Sequence, residues 1–272
     1  MSDGWRLYAD MGNSSLLWAA YGPDGWSHPV RTVPDEQETP RDTGLAVRAV
    51  LVLGGYQVSE CAGAALLSSN PSMTEHVEEA LADLTGQEVA LMGRDIHSDL
   101  SIDYHDPSQM GQDRIAMVEG AHALCGAPVV VLSCGSCLTA QALTAKGVIV
   151  AGGIAPGLSA CVTGLIAHTP HLAEPARAAE NGLIEAVVKA RDLPKPARDT
   201  VENLVCGLAA TVSGAARVLA ASMLAEAEAE APVLLTGGWA QIVDALAEGE
   251  WRFEPLLTLE GLRAVHERAL EE

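Results

Sequence analysis

The sequence predicts an α/β protein built from two halves of the same architecture, and three observations carry that reading. Short apolar runs of strand length recur, and each ends in a glycine-containing polar turn: Trp5 to Ala9 before Asp10–Ser14, Val129 to Leu132 before Ser133–Cys137, Gly147 to Val150 before Gly152-Gly153, and Val233 to Leu235 before Gly237-Gly238. Aromatic residues are scarce, with one Phe and four Tyr, while Ala, Val, Leu and Gly dominate, which suits close-packed α/β layers better than an aromatic-rich sandwich. With 49% hydrophobic residues over 272 positions, the chain has core enough for two domains of ordinary size. The halves are expected at 1–125 and 126–272, with the boundary near Gly126.

Taken in order, Trp5 to Ala9 and Ser15 to Tyr21 read as two strands returned through the hairpin turn Gly22-Pro23-Asp24-Gly25. Residues 31–43, polar with two prolines, read as a loop, and Ala46 to Leu53 and Gly63 to Leu67 as buried strand or adjoining helix. Apolar residues at helical spacing over Ser72 to Thr85, closed by Gly86, predict a helix, and Val89 to Met92 a short strand. A polar segment, 95–113, is expected as an ordered loop leading into a helix over Ile115 to Leu124. In the second half, the β-branched run Val129 to Leu132 predicts a strand buried on both faces. Gly147 to Val150 follows as a strand running into a loop at 151–157. Helices are expected over Leu158 to Ala167, Ala173 to Arg191 and Val201 to Ala227, and on either side of Trp251 to Thr258.

The formal charge of −20, with three Lys among sixteen basic residues, repels phosphate backbones and excludes nucleic acid as a natural partner. An anionic substrate then has to be drawn in by a focused site. The apolar runs are interrupted by Gly, Pro or polar residues before membrane-spanning length, and the N-terminus has neither a basic nor an apolar signal region. Six cysteines at 61, 125, 134, 137, 161 and 206, mostly inside apolar runs, read as reduced thiols of a cytoplasmic protein.

The turns carry the chemistry. In Asp10-Met11-Gly12-Asn13-Ser14, Gly12 lets backbone approach a phosphate, Asn13 and Ser14 supply neutral donors, and Asp10 is a candidate ligand for Mg²⁺ or its bound water. A hairpin turn explains this motif equally well when it stands alone. Four such turns at the carboxyl ends of strands together favour a nucleotide cleft between two sheets. Gly111-Gln112-Asp113-Arg114 opens a helix, so that Asp113 is either a functional carboxylate or an N-cap. Cys134-x-x-Cys137 has no second Cys or His pair at matching spacing, and burial is its simplest explanation.

The ordered set Asp10-x-Gly-Asn-Ser, Tyr104-x-x-Pro107, Gly111-x-Asp-Arg, Gly135-Ser136, Gly152 to Gly157, Thr200, Thr236-Gly-Gly and Pro255 to Leu262 resembles the type III pantothenate kinase family over nearly the whole chain. The resemblance implies a duplicated actin-like, ribonuclease H-like ATPase fold of the acetate and sugar kinase/Hsp70/actin superfamily, with two mixed-sheet halves and an interdomain nucleotide cleft. It implies ATP-dependent phosphorylation of pantothenate, the first step of coenzyme A biosynthesis, by a cytoplasmic homodimer using Mg²⁺ and a monovalent cation, K⁺ or NH₄⁺. Asp113 falls on the family's general base, and Asp10, Gly12, Asn13 and Ser14 on its first phosphate motif, with Asp10 near the metal. Tyr104, Gly111, Gln112 and Arg114 match the pantothenate-binding segment, Arg114 as a clamp for the substrate carboxylate, and Thr200 matches a threonine that reaches substrate from the partner subunit. Gly135, Ser136, Gly152, Gly157, Thr236, Gly237 and Gly238 match nucleotide-side positions.

One segment departs from the family. Its second phosphate motif opens with Asp and carries a further Asp, where this chain has Ser133 and Gln141. Losing one such electrostatic contact typically costs about 2–4 kcal/mol of transition-state stabilisation. The departure leaves open a kinase for another small alcohol, or a catalytically impaired regulator or scaffold.

Overall fold

The computed structural model describes residues 4–13, 15–33, 37–193, 197–227, 230–247 and 251–271. Its elements are β1 (Trp5–Met11), β2 (Leu16–Gly22), β3 (Gly25–Trp26), β4 (Val30–Thr32), α1 (Pro40–Leu53), β5 (Cys61–Ser68), α2 (Pro71–Thr85), β6 (Val89–Leu91), β7 (Ser101–Ile102), α3 (Gln112–Cys125), β8 (Val129–Cys134), β9 (Cys137–Leu143), β10 (Val148–Pro156), α4 (Leu158–His168), α5 (Ala173–Ala190), α6 (Thr200–Glu226), β11 (Val233–Thr236), α7 (Ala240–Leu246), β12 (Arg252–Phe253) and α8 (Leu257–Glu271). They form two compact units. The first takes residues 1–99, 108–123 and 256–272, the second 100–107 and 124–255.

The first unit holds a mixed sheet in the order β3-β2-β1-β5-β6, with β4 paired to β2. Alternation along β1 sends Trp5, Leu7, Ala9 and Met11 into a core with Val47 and Leu51 of α1 and with Met73, Val77 and Leu81 of α2. Arg6, Tyr8 and Asp10 therefore face the other side, where α8 packs on β1 and β5, its His266 ring edge-on to Tyr8. The helix α3 crosses α8 at two glycines. A side chain on Gly261 would collide with the Ala116 carbonyl, and one on Gly120 with the Leu257 carbonyl. Buried Glu119 of α3 ties the pair together, accepting from Arg268 Nη2 at 2.8 Å and from Ser98 Oγ at 2.6 Å.

The sequence expects residues 256–272 with the second half, but α8 belongs to the first unit, because its apolar face (Leu257, Leu262, Val265) is buried there. The segment 31–43, expected as a loop, begins in β4 and ends in α1. A capping box starts that helix: Asp42 N–H donates to Thr39 Oγ1 while Asp42 Oδ2 accepts from the Thr39 N–H, with Pro40 at the first helical position.

The second unit holds a mixed sheet in the order β12-β11-β8-β9-β10-β7. Val130, Leu132, Leu138, Ala140 and Ala142 point into a core with α4, α5, α6 and α7. Among the described residues, α6 is the one helix with the length and apolar composition of a membrane span, and it serves here as a core helix, burying Val205, Leu208, Val212, Ala216 and Met223 against the sheet. Of the expected loop at 151–157, Gly157 is the N-cap of α4 and residues 151–156 are instead the second half of β10. Its glycines open room for α6: the Gly152 side-chain position is filled by Met223 and that of Gly153 by Leu219.

Candidate functional site

In the first unit the site is built on the end of β1. Asp10 is the last polar residue before the turn, half-buried on the face away from α1 and α2. The turn is tight: the Gly12 N–H donates to the Ser15 carbonyl at 3.0 Å, and Ser69 N–H holds the Met11 carbonyl at 2.8 Å. Asn13 is exposed, and its carbonyl accepts from Asn70 Nδ2 at 3.3 Å. Ser14, expected as a phosphate donor, lies outside the described residues.

Asp113 enters from the first turn of α3. Its Oδ1 lies over Gly111, so that a side chain there would displace the carboxylate. Gln112 lies in the same way over Gly93, whose φ of 89° also favours glycine. Arg114 is only 9% exposed, and its Nη2 donates to the Gln109 carbonyl at 3.1 Å, so it braces the segment entering α3. Tyr104 is half-buried and belongs to the second unit, on the segment that follows β7.

The two aspartates form an electrostatic pair. Burial, then the Asp113 carboxylate, push the Asp10 carboxyl up to about 7, against a smaller opposing influence from Arg31. Arg31 carries no motif that marks it in the sequence. It sits in β4, and its Nη1 donates to Ser15 Oγ at 2.7 Å. An oxygen-rich carboxylate pair of this kind fits Mg²⁺, which takes one or two protein carboxylates and completes its shell with water and substrate phosphate oxygens.

In the second unit, four of the expected positions meet. The turn Gly135-Ser136 joins β8 to β9, and Gly157, at the start of α4, donates its N–H to the Ser136 carbonyl at 3.1 Å. A side chain on Gly157 would strike the carbonyls of Gly135 and Ser136, and one on Gly237 would strike the Cys134 carbonyl. Gly237 has a φ of 99°, while Gly238 faces open space. Trp239, read from sequence as filler, latches this cluster: its indole N–H donates to the Gly135 carbonyl at 2.7 Å and its backbone N–H to Cys134. Gly152 lies apart, beneath Met223. Thr200 is exposed at the first position of α6, next to its N-cap Asp199.

Across this sheet Thr236 lies opposite Ser133, and Ser133 opposite Thr139, giving a row of three hydroxyl residues on the face away from α6. Gln141, two residues along, is fully buried on the same face. Neither of its amide atoms, nor Thr139 Oγ1, has a hydrogen-bond partner among the described residues. Ser133 and Gln141, where the family carries acids, are therefore neighbours on one face. Cys134 points the other way into the core, and burial raises its thiol pKa.

Residues 6–222 match the family model for type III pantothenate kinase. A type III pantothenate kinase from Moorella thermoacetica is 29% identical over 262 residues, covering 96% of this chain and 98% of the relative. One from Frankia casuarinae is 29% identical over 266 residues, covering 96% and 98%. Among solved structures, (R)-2-hydroxyglutaryl-CoA dehydratase component A from Acidaminococcus fermentans aligns with a TM-score of 0.56 at 10% identity, covering 98% of this chain and 99% of that one, a likeness of fold. The fold is the duplicated actin-like ATPase type, with one mixed sheet in each half. On the match across most of its length, the chain belongs to the type III pantothenate kinase family, a family of small-molecule kinases.

Proposed function

We propose that the protein phosphorylates pantothenate at its primary hydroxyl, using ATP and releasing ADP and 4′-phosphopantothenate. The observation that carries this reading is the Asp10–Asp113 pair, two carboxylates at a glycine turn and a helix start, one of them held near neutrality. Asp113 accepts the proton of the substrate hydroxyl as its oxygen attacks the γ-phosphorus and the bond to the ADP oxygen breaks. Asp10 would hold Mg²⁺, directly or through water, and the ion would supply charge neutralisation for the phosphates. In the second unit the cluster of Gly135, Ser136, Gly157, Gly237 and Gly238 takes the nucleotide phosphates through backbone, helped by Thr236. In the first, the segment from Gly111 to Arg114 takes the substrate, and Tyr104 is a further residue assigned to substrate by the family match. A homodimer, Thr200 contributed by the partner, a monovalent cation and a cytoplasmic location complete the reading. The exposed Val218 on α6 is in keeping with the dimer, and six cysteines outside any disulfide are in keeping with the compartment.

A coupled ADP-release assay with pantothenate, Mg²⁺ and K⁺ tests this directly. Turnover that disappears in Asp113→Asn supports it, and wild-type protein inert toward pantothenate rejects it. The neutral row Thr236–Ser133–Thr139 favours a second reading, a family member with altered substrate or reduced catalysis. Turnover of other primary alcohols in the same assay, with pantothenate inert, selects the altered substrate.

A further inference from the structure

A transferring phosphoryl group carries negative charge, and the Asp10–Asp113 pair repels it. The protein's overall charge of −20 adds to that repulsion. A phosphate site built on this pair is therefore helped by a cation from the chain itself, and the sheet register supplies one. Asp10 of β1 lies opposite Leu17 of β2, and Leu17 lies opposite Arg31 of β4. Residues directly opposite on neighbouring strands share a face, so Arg31 stands on the Asp10 face two strands away, about 10 Å along the hydrogen-bonding direction. Leu17, between them, is apolar and offers the guanidinium no competing partner.

The Arg31 side chain is aimed toward the turn. Its Nη1 donates to Ser15 Oγ at 2.7 Å, and the Ser15 carbonyl closes the turn by accepting the Gly12 N–H. Its charge reaches Asp10, where it opposes protonation. Unlike Arg114, which is buried and donates to the Gln109 carbonyl, Arg31 is exposed beside the Asp10 turn. A guanidinium presents several donors in a planar fork that matches phosphate oxygens.

We propose that Arg31 binds the transferring phosphoryl group of the nucleotide, with Ser15 as the positioning residue that aims it. This rests on the reading that the Asp10 turn handles a phosphoryl group, but not on pantothenate being the acceptor. The test compares wild type with Arg31→Gln, Arg31→Lys and Ser15→Ala, measuring calorimetric affinity for a non-hydrolysable ATP analogue with Mg²⁺, steady-state kinetics, and thermal melts as a check on folding. Losing one charge-assisted contact is expected to weaken analogue binding roughly 10- to 100-fold in Arg31→Gln. The KM for the alcohol substrate stays near wild type, Arg31→Lys recovers part of the loss, and Ser15→Ala shows a smaller one. Analogue binding lost in Arg31→Gln while wild type leaves pantothenate untouched sinks the substrate reading and upholds Arg31. Undiminished binding in folded Arg31→Gln, or a wild type that binds no nucleotide, overturns the assignment.

Discussion

The Asp113 carboxylate, at the first turn of α3, bears on the Asp10 carboxyl at the end of β1, and after burial it is the largest influence raising that group to about 7. Like charges brought together in a partly buried site resist ionising together, so one proton is retained until something positive compensates. The pair is thus set to answer to pH and to bound cations within the physiological range.

Asp113→Asn removes the like charge without removing the helix start. Turnover should fall by roughly 10²- to 10⁴-fold, the usual size of a general-base contribution. The acid limb of whatever activity remains should lie at lower pH than in wild type, because Asp10 then ionises more easily. A residual pH–rate profile from pH 5.5 to 9 reads this, and an acid limb left in its wild-type position would show that the two groups do not interact.

Asp10 should cost the fold stability above acid pH. Its folded pKa of about 7 lies above the unfolded carboxyl's ~3.9, so the unfolded chain ionises first. Stability is therefore lost as pH rises from about 4 to 7 and stays lost above, by something on the order of 4 kcal/mol. Asp10→Asn should melt several degrees higher than wild type at pH 8 in EDTA, with no gain at pH 4, while losing activity. Equal melting temperatures at pH 8 would contradict the raised pKa.

Ser133→Asp restores a carboxylate between Thr139 and Thr236. If this row once served the metal, Mg²⁺ titrations of turnover should saturate earlier, and kcat should rise by up to about 10²-fold, the scale of one electrostatic contact. Adding Gln141→Asp should extend the effect. Mg²⁺ titrations that superimpose on wild type would remove this face from metal handling.

Gly261→Ala should destabilise the first unit despite the better helix propensity of alanine, which alone is worth about 1 kcal/mol in the opposite direction. The new methyl meets the Ala116 carbonyl, and separating α3 from α8 should cost a net ~1–3 kcal/mol. Urea denaturation followed by circular dichroism checks the sign. A variant as stable as wild type would mean that the two helices do not cross at these glycines.

Much of the fold was legible because it is written locally. The β-branched run before Ser133, the helical spacing closed by Gly86 and the polar turn after Ala9 each specify an element without outside help. Asp10 and Asp113 were legible because they sit in short motifs with a distinctive residue order. Gly152 and Gly153 show where local reading fails: a missing side chain suits a phosphate turn and a tightly packed strand equally, and only Met223 and Leu219 decide. Arg31 and the row through Ser133 depend on strand register, which local sequence does not fix when the neighbours are far apart. The placement of α8 was hidden for a related reason, since an amphipathic helix reads the same whichever sheet it covers.

That placement has a consequence for how the protein is made. The second unit has its full complement of strands and helices once Pro255 has been synthesised, whereas the unit that begins with β1 lacks its covering helix until residues 257–271 follow. Domains ordinarily fold on the ribosome in the order in which they emerge. Here the earlier-born half, which carries Asp10, cannot cover its sheet until residues 257–271 are available, so its completion is tied to a helix far along the chain.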